Sequence, residues 1–190
     1  MNLDFVPTKR GGGVKIDGDE RTLHLIERLI TKHAMNSKCC FEDGVCMTLS
    51  RYFEKDRSKT VDWVTLYYGV TVLRSSMGYF NTREEEALIS LLEFLVEKSL
   101  ASFLKESEQI SDLFYTHKGY TDLILDGWES RMVYLYLLKT ATQRRKELLR
   151  ILTSFDPIPT VLDKDYVKQF KELHIGYLDY GVGEKFEYVL

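Results

Sequence analysis

Only three of the 190 residues are cysteine, and Cys39, Cys40 and Cys46 all fall in one short stretch. An odd, locally clustered set is a poor disulfide framework. Reduced thiols are the simpler reading, and they imply a cytoplasmic or nuclear setting. No apolar run is long enough to span a bilayer. The N-terminus, Met1-Asn2-Leu3-Asp4-Phe5 followed by Lys9 and Arg10, lacks the apolar core of a signal peptide. Charge of one sign is not in excess either: 26 basic against 29 acidic residues leave a net charge of −3. That removes any global pull toward nucleic acid and leaves room only for a local basic patch. Zinc-hydrolase, phosphate-loop, nucleophile-elbow and dinucleotide signatures are absent. Gly11-Gly12-Gly13 does not qualify as a phosphate loop, because no strand is expected to lead into it and no Gly-Lys-Ser/Thr closes it. His24, His33, His117 and His174 are scattered. The expectation is a protein that is not an enzyme and has no catalytic residue, cofactor or metal.

What is present is a chain with 44% apolar and 29% charged residues, long enough to bury a core without a covalent staple. Helical spacing dominates it. Residues 1–19 read as a flexible tail, with the three glycines as a joint and Asp17-Gly18-Asp19 as a turn. A first helix is expected from about Arg21 to Met35, with Leu23, Ile26, Leu29 and Ile30 on one side and Asp19 or Thr22 as its cap. After a break at Asp43-Gly44, Val45 to Lys55 reads as a second helix. Val61 to Leu73 is apolar all round and is expected to be the buried central helix, with a strand as its competitor because of its β-branched and aromatic residues. Asn81-Thr82-Arg83-Glu84-Glu85 offers a capping box, and the Leu88, Leu91, Leu92, Leu95, Val96, Phe103 stripe runs on to Lys105. A helix over about 121–140 leads, with a kink, into Gln143–Leu152. Asp156-Pro157-Ile158-Pro159 stops it, and a last helix covers about 163–173. The fold expected is therefore all-α: a compact bundle of about six to seven helices over 20–175, with a flexible N-terminal tail and an extended segment over 176–190.

Four groups of residues bear on function. Lys139, Arg144, Arg145, Lys146 and Arg150 form the densest basic cluster, suited to the phosphates of RNA or of a phosphoinositide headgroup, although such runs are commonly solvated helix faces. His33, Cys39, Cys40 and Cys46 lie close enough to be zinc ligands, but their spacing matches no common finger, and core or surface thiols are the preferred reading. Trp63, Tyr67, Tyr68, Tyr79 and Phe80 read as core packing of the central helix rather than a base-stacking platform. Tyr134 and Tyr136, two residues apart, point to different faces, so at least one is exposed or half-exposed. Finally, Tyr177, Tyr180, Phe186, Tyr188 and Leu190 place large apolar groups in a glycine-bearing segment that either docks on the bundle or engages a partner.

The segment Val96-Glu97-Lys98-Ser99-Leu100-Ala101-Ser102-Phe103-Leu104 resembles the sixth helix of Bcl-2-type bundles, though the Asn-Trp-Gly-Arg and Gly-Gly-Trp motifs of that family are missing. Phe80-Asn81, Thr140-Ala141 and Phe155-Asp156 are similar in spacing to the tumour-necrosis-factor-induced family of helical bundles that hold a lipid in a central cavity. Both resemblances imply a non-catalytic regulatory bundle, and no functional residue is carried over from either. The reading is a non-enzymatic regulatory protein or adaptor that works through protein–protein contacts and self-association. RNA binding through the 139–150 patch is the alternative. A lipid-cavity regulator, with a tunnel along Leu66, Leu92 and Leu135, is the second.

Deleting residues 177–190 tests the C-terminal reading. If the bundle covers this segment, the melting temperature of the truncated chain falls by several degrees, because even ~1–2 kcal/mol is visible in a domain of this size. If a partner or second copy covers it, stability is retained and assembly is lost. Full stability together with full assembly would make the segment an idle tail.

Overall fold

A computed structural model describes residues 2–36, 40–54, 59–77, 81–105, 110, 113–116 and 128–153. In chain order these form strands β1 (Leu3–Pro7) and β2 (Gly13–Gly18), helices α1 (Glu20–Asn36) and α2 (Cys40–Arg51), strand β3 (Thr60–Asp62), and helices α3 (Trp63–Ser75), α4 (Arg83–Leu104), α5 (Leu113–Thr116), α6 (Trp128–Leu137) and α7 (Ala141–Thr153). The expected helix over 163–173 and the segment carrying Tyr177, Tyr180, Phe186, Tyr188 and Leu190 lie outside the described residues.

The all-α expectation, with its flexible N-terminal tail, is overturned. The first residues fold into an antiparallel hairpin in which Leu3 faces Gly18 and Pro7 faces Val14. Strand β3 adds to β2, with Gly13 opposite Asp62, so the chain is mostly helical around a three-stranded sheet of order β1-β2-β3. The physical reason is a period of two. Phe5, Val14 and Ile16 are buried, while Val6, Lys15 and Asp17 between them face outward. The three glycines are not a free joint. Gly11 takes φ 71°, and a Cβ there would sit 2.3 Å from Cζ of Phe103. At Gly13 a Cβ would sit 2.0 Å from the backbone oxygen of Val61, so only a hydrogen fits between β2 and β3.

Asp19 ends the hairpin and begins α1. Its carboxylate accepts from the Thr22 amide at 2.9 Å and from the Asn2 amide at 2.8 Å, which joins the start of β1 to the cap of the first helix. Those amides, with the Thr22 hydroxyl, hold the carboxyl down to about 2. Helix α2 runs through the expected break at Asp43-Gly44 and ends earlier than expected, at Arg51. The segment Val61–Leu73 divides its loyalties. Val61 and Asp62 belong to β3, and from Trp63 on the chain is helical, with the buried Asp62 carboxylate accepting from the Thr65 amide at 2.8 Å as the cap of α3.

Helix α4 starts with the expected box: Thr82 Oγ1 accepts from the Glu85 amide at 3.2 Å and Glu85 accepts from the Thr82 amide at 2.7 Å. It ends on Lys105, a left-handed residue at φ 63°. Lys98 of α4 reaches Asp4 of β1 at 2.9 Å. The helix expected over 121–140 is described from Trp128 and ends at Leu137. Thr140 then caps α7, its hydroxyl accepting from the Gln143 amide at 3.2 Å.

The close approach at Gly13 sets a test by chemical denaturation. Gly13→Ala forces a methyl group against the Val61 carbonyl and lowers stability by about 2–3 kcal/mol. Gly44→Ala adds a Cβ on α2 with nothing within 4 Å of it, and so raises stability by about 0.5–1 kcal/mol. Equal effects at the two glycines would show that β2 and β3 are not paired.

Candidate functional site

The basic cluster of the 139–150 region is split between inside and outside. Arg144 is buried, at 3% exposure. Its Nε donates to the Leu135 carbonyl at 3.2 Å and its Nη1 to the Arg10 carbonyl at 2.6 Å. Arg145 donates from Nε to the Phe103 carbonyl at 2.7 Å and lays its guanidinium over the Phe103 ring, 5.1 Å from the centroid. Leu135 and Phe103 lie in the last turns of α6 and α4, where backbone carbonyls have no partner within the helix. A third arginine, the buried Arg131, donates to the Ile151 carbonyl in the last turn of α7. Arginines thus close three helix C-termini, the end of the helix dipole that favours positive charge. Burial, and then the Arg10 charge, make the Arg144 guanidinium easier to deprotonate than usual.

The remaining members of the cluster face solvent. Arg150 binds Glu147 at 2.8 Å and the Tyr134 hydroxyl at 3.2 Å. Lys146 is exposed on α7, and Lys139 is exposed in the link before it rather than on the helix itself. Lys139 instead borders a cleft of about 620 Å³ together with Lys9, Arg10, Tyr136, Leu137, Ala141 and Arg144. Lys9 and Arg10 stood in the presumed tail. Their place in this cleft follows from the contact of the hairpin turn with Arg144, a long-range contact with no local signal in the sequence.

The other groups resolve into the interior. His33 is buried, its Nε2 within 2.9 Å of Asn81 Oδ1 and its Nδ1 within 3.0 Å of the Ser76 hydroxyl, which ties α1 to the approach to α4. Cys46 is a buried thiol outside any disulfide. Cys39 and the side chain of Cys40 lie outside the described residues, and among the described residues no three His, Cys, Asp or Glu side chains form a metal-binding group. Trp63, Tyr67 and Tyr68 are buried, with the Tyr67 ring 5.1 Å from Phe114. Burial raises the pKa of both tyrosines. Tyr79 and Phe80 lie outside the described residues. Tyr134 and Tyr136 are half-buried, as their spacing implied. Leu66, Leu92 and Leu135, the proposed walls of a lipid tunnel, are buried in the hydrophobic core.

No helix among the described residues is long and apolar enough to cross a membrane. Comparison with protein-family models, with curated proteins and with solved structures finds no match to this chain.

The split within the basic cluster predicts opposite outcomes for neighbouring cations. Arg144→Met strips two backbone carbonyls of their donor and lowers stability by about 2–4 kcal/mol. Lys146→Met changes it by no more than ~0.5 kcal/mol. Denaturant titration of the two variants reads this directly, and a neutral Arg144→Met would place that guanidinium in solvent.

Proposed function

We propose that the chain is a non-enzymatic regulatory module that acts through protein–protein contacts, the first of them with a second copy of itself. The observation that carries this reading is Phe94, a large aromatic residue left 60% exposed on α4. Leaving such a ring in water forfeits roughly 2 kcal/mol of burial that an interface would recover. Its position supports pairing. Phe94 stands at the middle of the helix Arg83–Leu104, and Ala87 and Ala101 each lie seven residues from it on the same face. Two copies of α4 packed antiparallel about a two-fold axis through this point would bring Phe94 against its own copy. Each Ala87 would then face an Ala101, small side chains that let helix backbones approach.

The basic run gives RNA less to bind than its composition implied, because Arg144 and Arg145 serve the interior and Arg150 is paired with Glu147. Exposed aromatic surface is what interfaces are anchored on.

Sedimentation equilibrium at high micromolar concentration tests the proposal. The wild-type chain is expected as a dimer and Phe94→Glu as a monomer, with the melting temperature of the variant monomer close to that of the dissociated wild type. A wild-type chain that stays monomeric throughout would refute the self-association reading.

A further inference from the structure

The cleft beside the α6–α7 link gathers four cations that sequence separates by more than a hundred residues. Lys9 and Arg10 come from the turn between β1 and β2, Lys139 from the link, and Arg144 from the first turns of α7. They surround a concavity rather than decorating a convex helix face, and among the described residues no carboxylate lines it. Arg144 is fixed, since its bonds to the Leu135 and Arg10 carbonyls leave it no freedom to swing out to water. The same bond to Arg10 pins the hairpin turn and holds Lys9 and Arg10 at the rim. The start of α7 opens on the cleft at Ala141, and the positive end of its helix dipole adds potential there. Cations brought this close repel one another, and an anion between them relieves the repulsion. Burial first, and the Arg10 charge after it, loosen the hold of Arg144 on its proton.

We propose that this cleft binds the phosphate group of a small phosphorylated molecule, the phosphate among Lys9, Arg10 and Lys139 and the organic part against Tyr136 and Leu137. Size decides for a small molecule. A volume of about 620 Å³ is that of a metabolite site, whereas a nucleic-acid strand needs cations spaced along a track of phosphates. The half-buried Tyr136 and Leu137 supply the apolar wall such sites use for the rest of the ligand. The site is independent of Phe94 and stands or falls apart from the pairing of α4.

Isothermal titration of the full chain with inorganic pyrophosphate, in chloride buffer of matched ionic strength, tests it. One equivalent is expected to bind. The double variant Lys9→Ala/Lys139→Ala removes two exposed cations that have no ion-pair partner among the described residues, so its melting curve is expected to match the wild type. Its affinity is expected to fall ~10-fold or more. Lys146→Ala, outside the cleft, leaves affinity unchanged. Absence of binding at millimolar pyrophosphate would overturn the proposal. So would binding that survives the double variant, or that Lys146→Ala weakens equally. Co-sedimentation with phosphatidylcholine vesicles, with and without phosphatidylinositol 4-phosphate, identifies the source of the phosphate. Capture that depends on Lys9 and Lys139 assigns a lipid headgroup. Pyrophosphate binding without vesicle capture assigns a soluble ligand.

Discussion

A helix buried on every side must be covered on every side, and α3 sets that demand for this fold. Each residue from Trp63 to Leu73 is buried. Helices α2, α4, α6 and α7 pack around it, and strands β2 and β3 cover what they leave. Amphipathic helices can each offer one apolar face, and the hairpin completes the enclosure with Phe5, Val14 and Ile16. Asp62 makes the handover. It pairs with Gly13 in the sheet and in the next residue starts the helix it caps. Burial pushes its carboxyl up, but the amides of the first turn of α3 bind it and offset part of the cost of holding a charge there.

The same enclosure explains the arginines. When helices meet around a buried centre, their C-terminal carbonyls are drawn out of water and need donors. A guanidinium reaches further than a backbone amide and donates several bonds in a fixed fork. Arg131, Arg144 and Arg145 each meet a carbonyl of another helix, so α4, α6 and α7 are joined end to side. Arg144 also takes the Arg10 carbonyl, which makes the hairpin turn part of the same framework. The cleft is a by-product of that framework: the cations that hold the fold together leave others collected at its edge.

How much of this was legible depends on whether a signal was local. The capping box of α4 and its leucine stripe are contained in one stretch of chain, and they formed as read. The central place of α3 followed from its all-round apolarity. The competing signs of strand and helix at its start were both real, since β3 takes 60–62 and α3 begins at Trp63. The hairpin was missed because the alternation in Phe5-Val6 and Val14-Lys15-Ile16-Asp17 is short, and because three glycines in a row look like a joint when the carbonyl of Val61 that needs Gly13 is far along the sequence. That Arg144 and Arg145 turn inward was not legible for a related reason. Charge and helical angle say which way a side chain leaves its own helix. They do not say that the C-terminus of another helix lies there to receive it.

The central claim is that the N-terminal hairpin is part of the cover of α3 and not an appendage to a helical bundle. Hydrogen exchange resolved to single amides measures this most directly. The account predicts that the Ile16 amide, bonded to the Lys59 carbonyl at 2.6 Å, and the Trp63 amide, bonded to the Gly12 carbonyl at 3.2 Å, exchange only with the global unfolding that frees the middle of α3. Exchange of the Ile16 amide at the rate of an unfolded chain, while α3 stays protected, would contradict it.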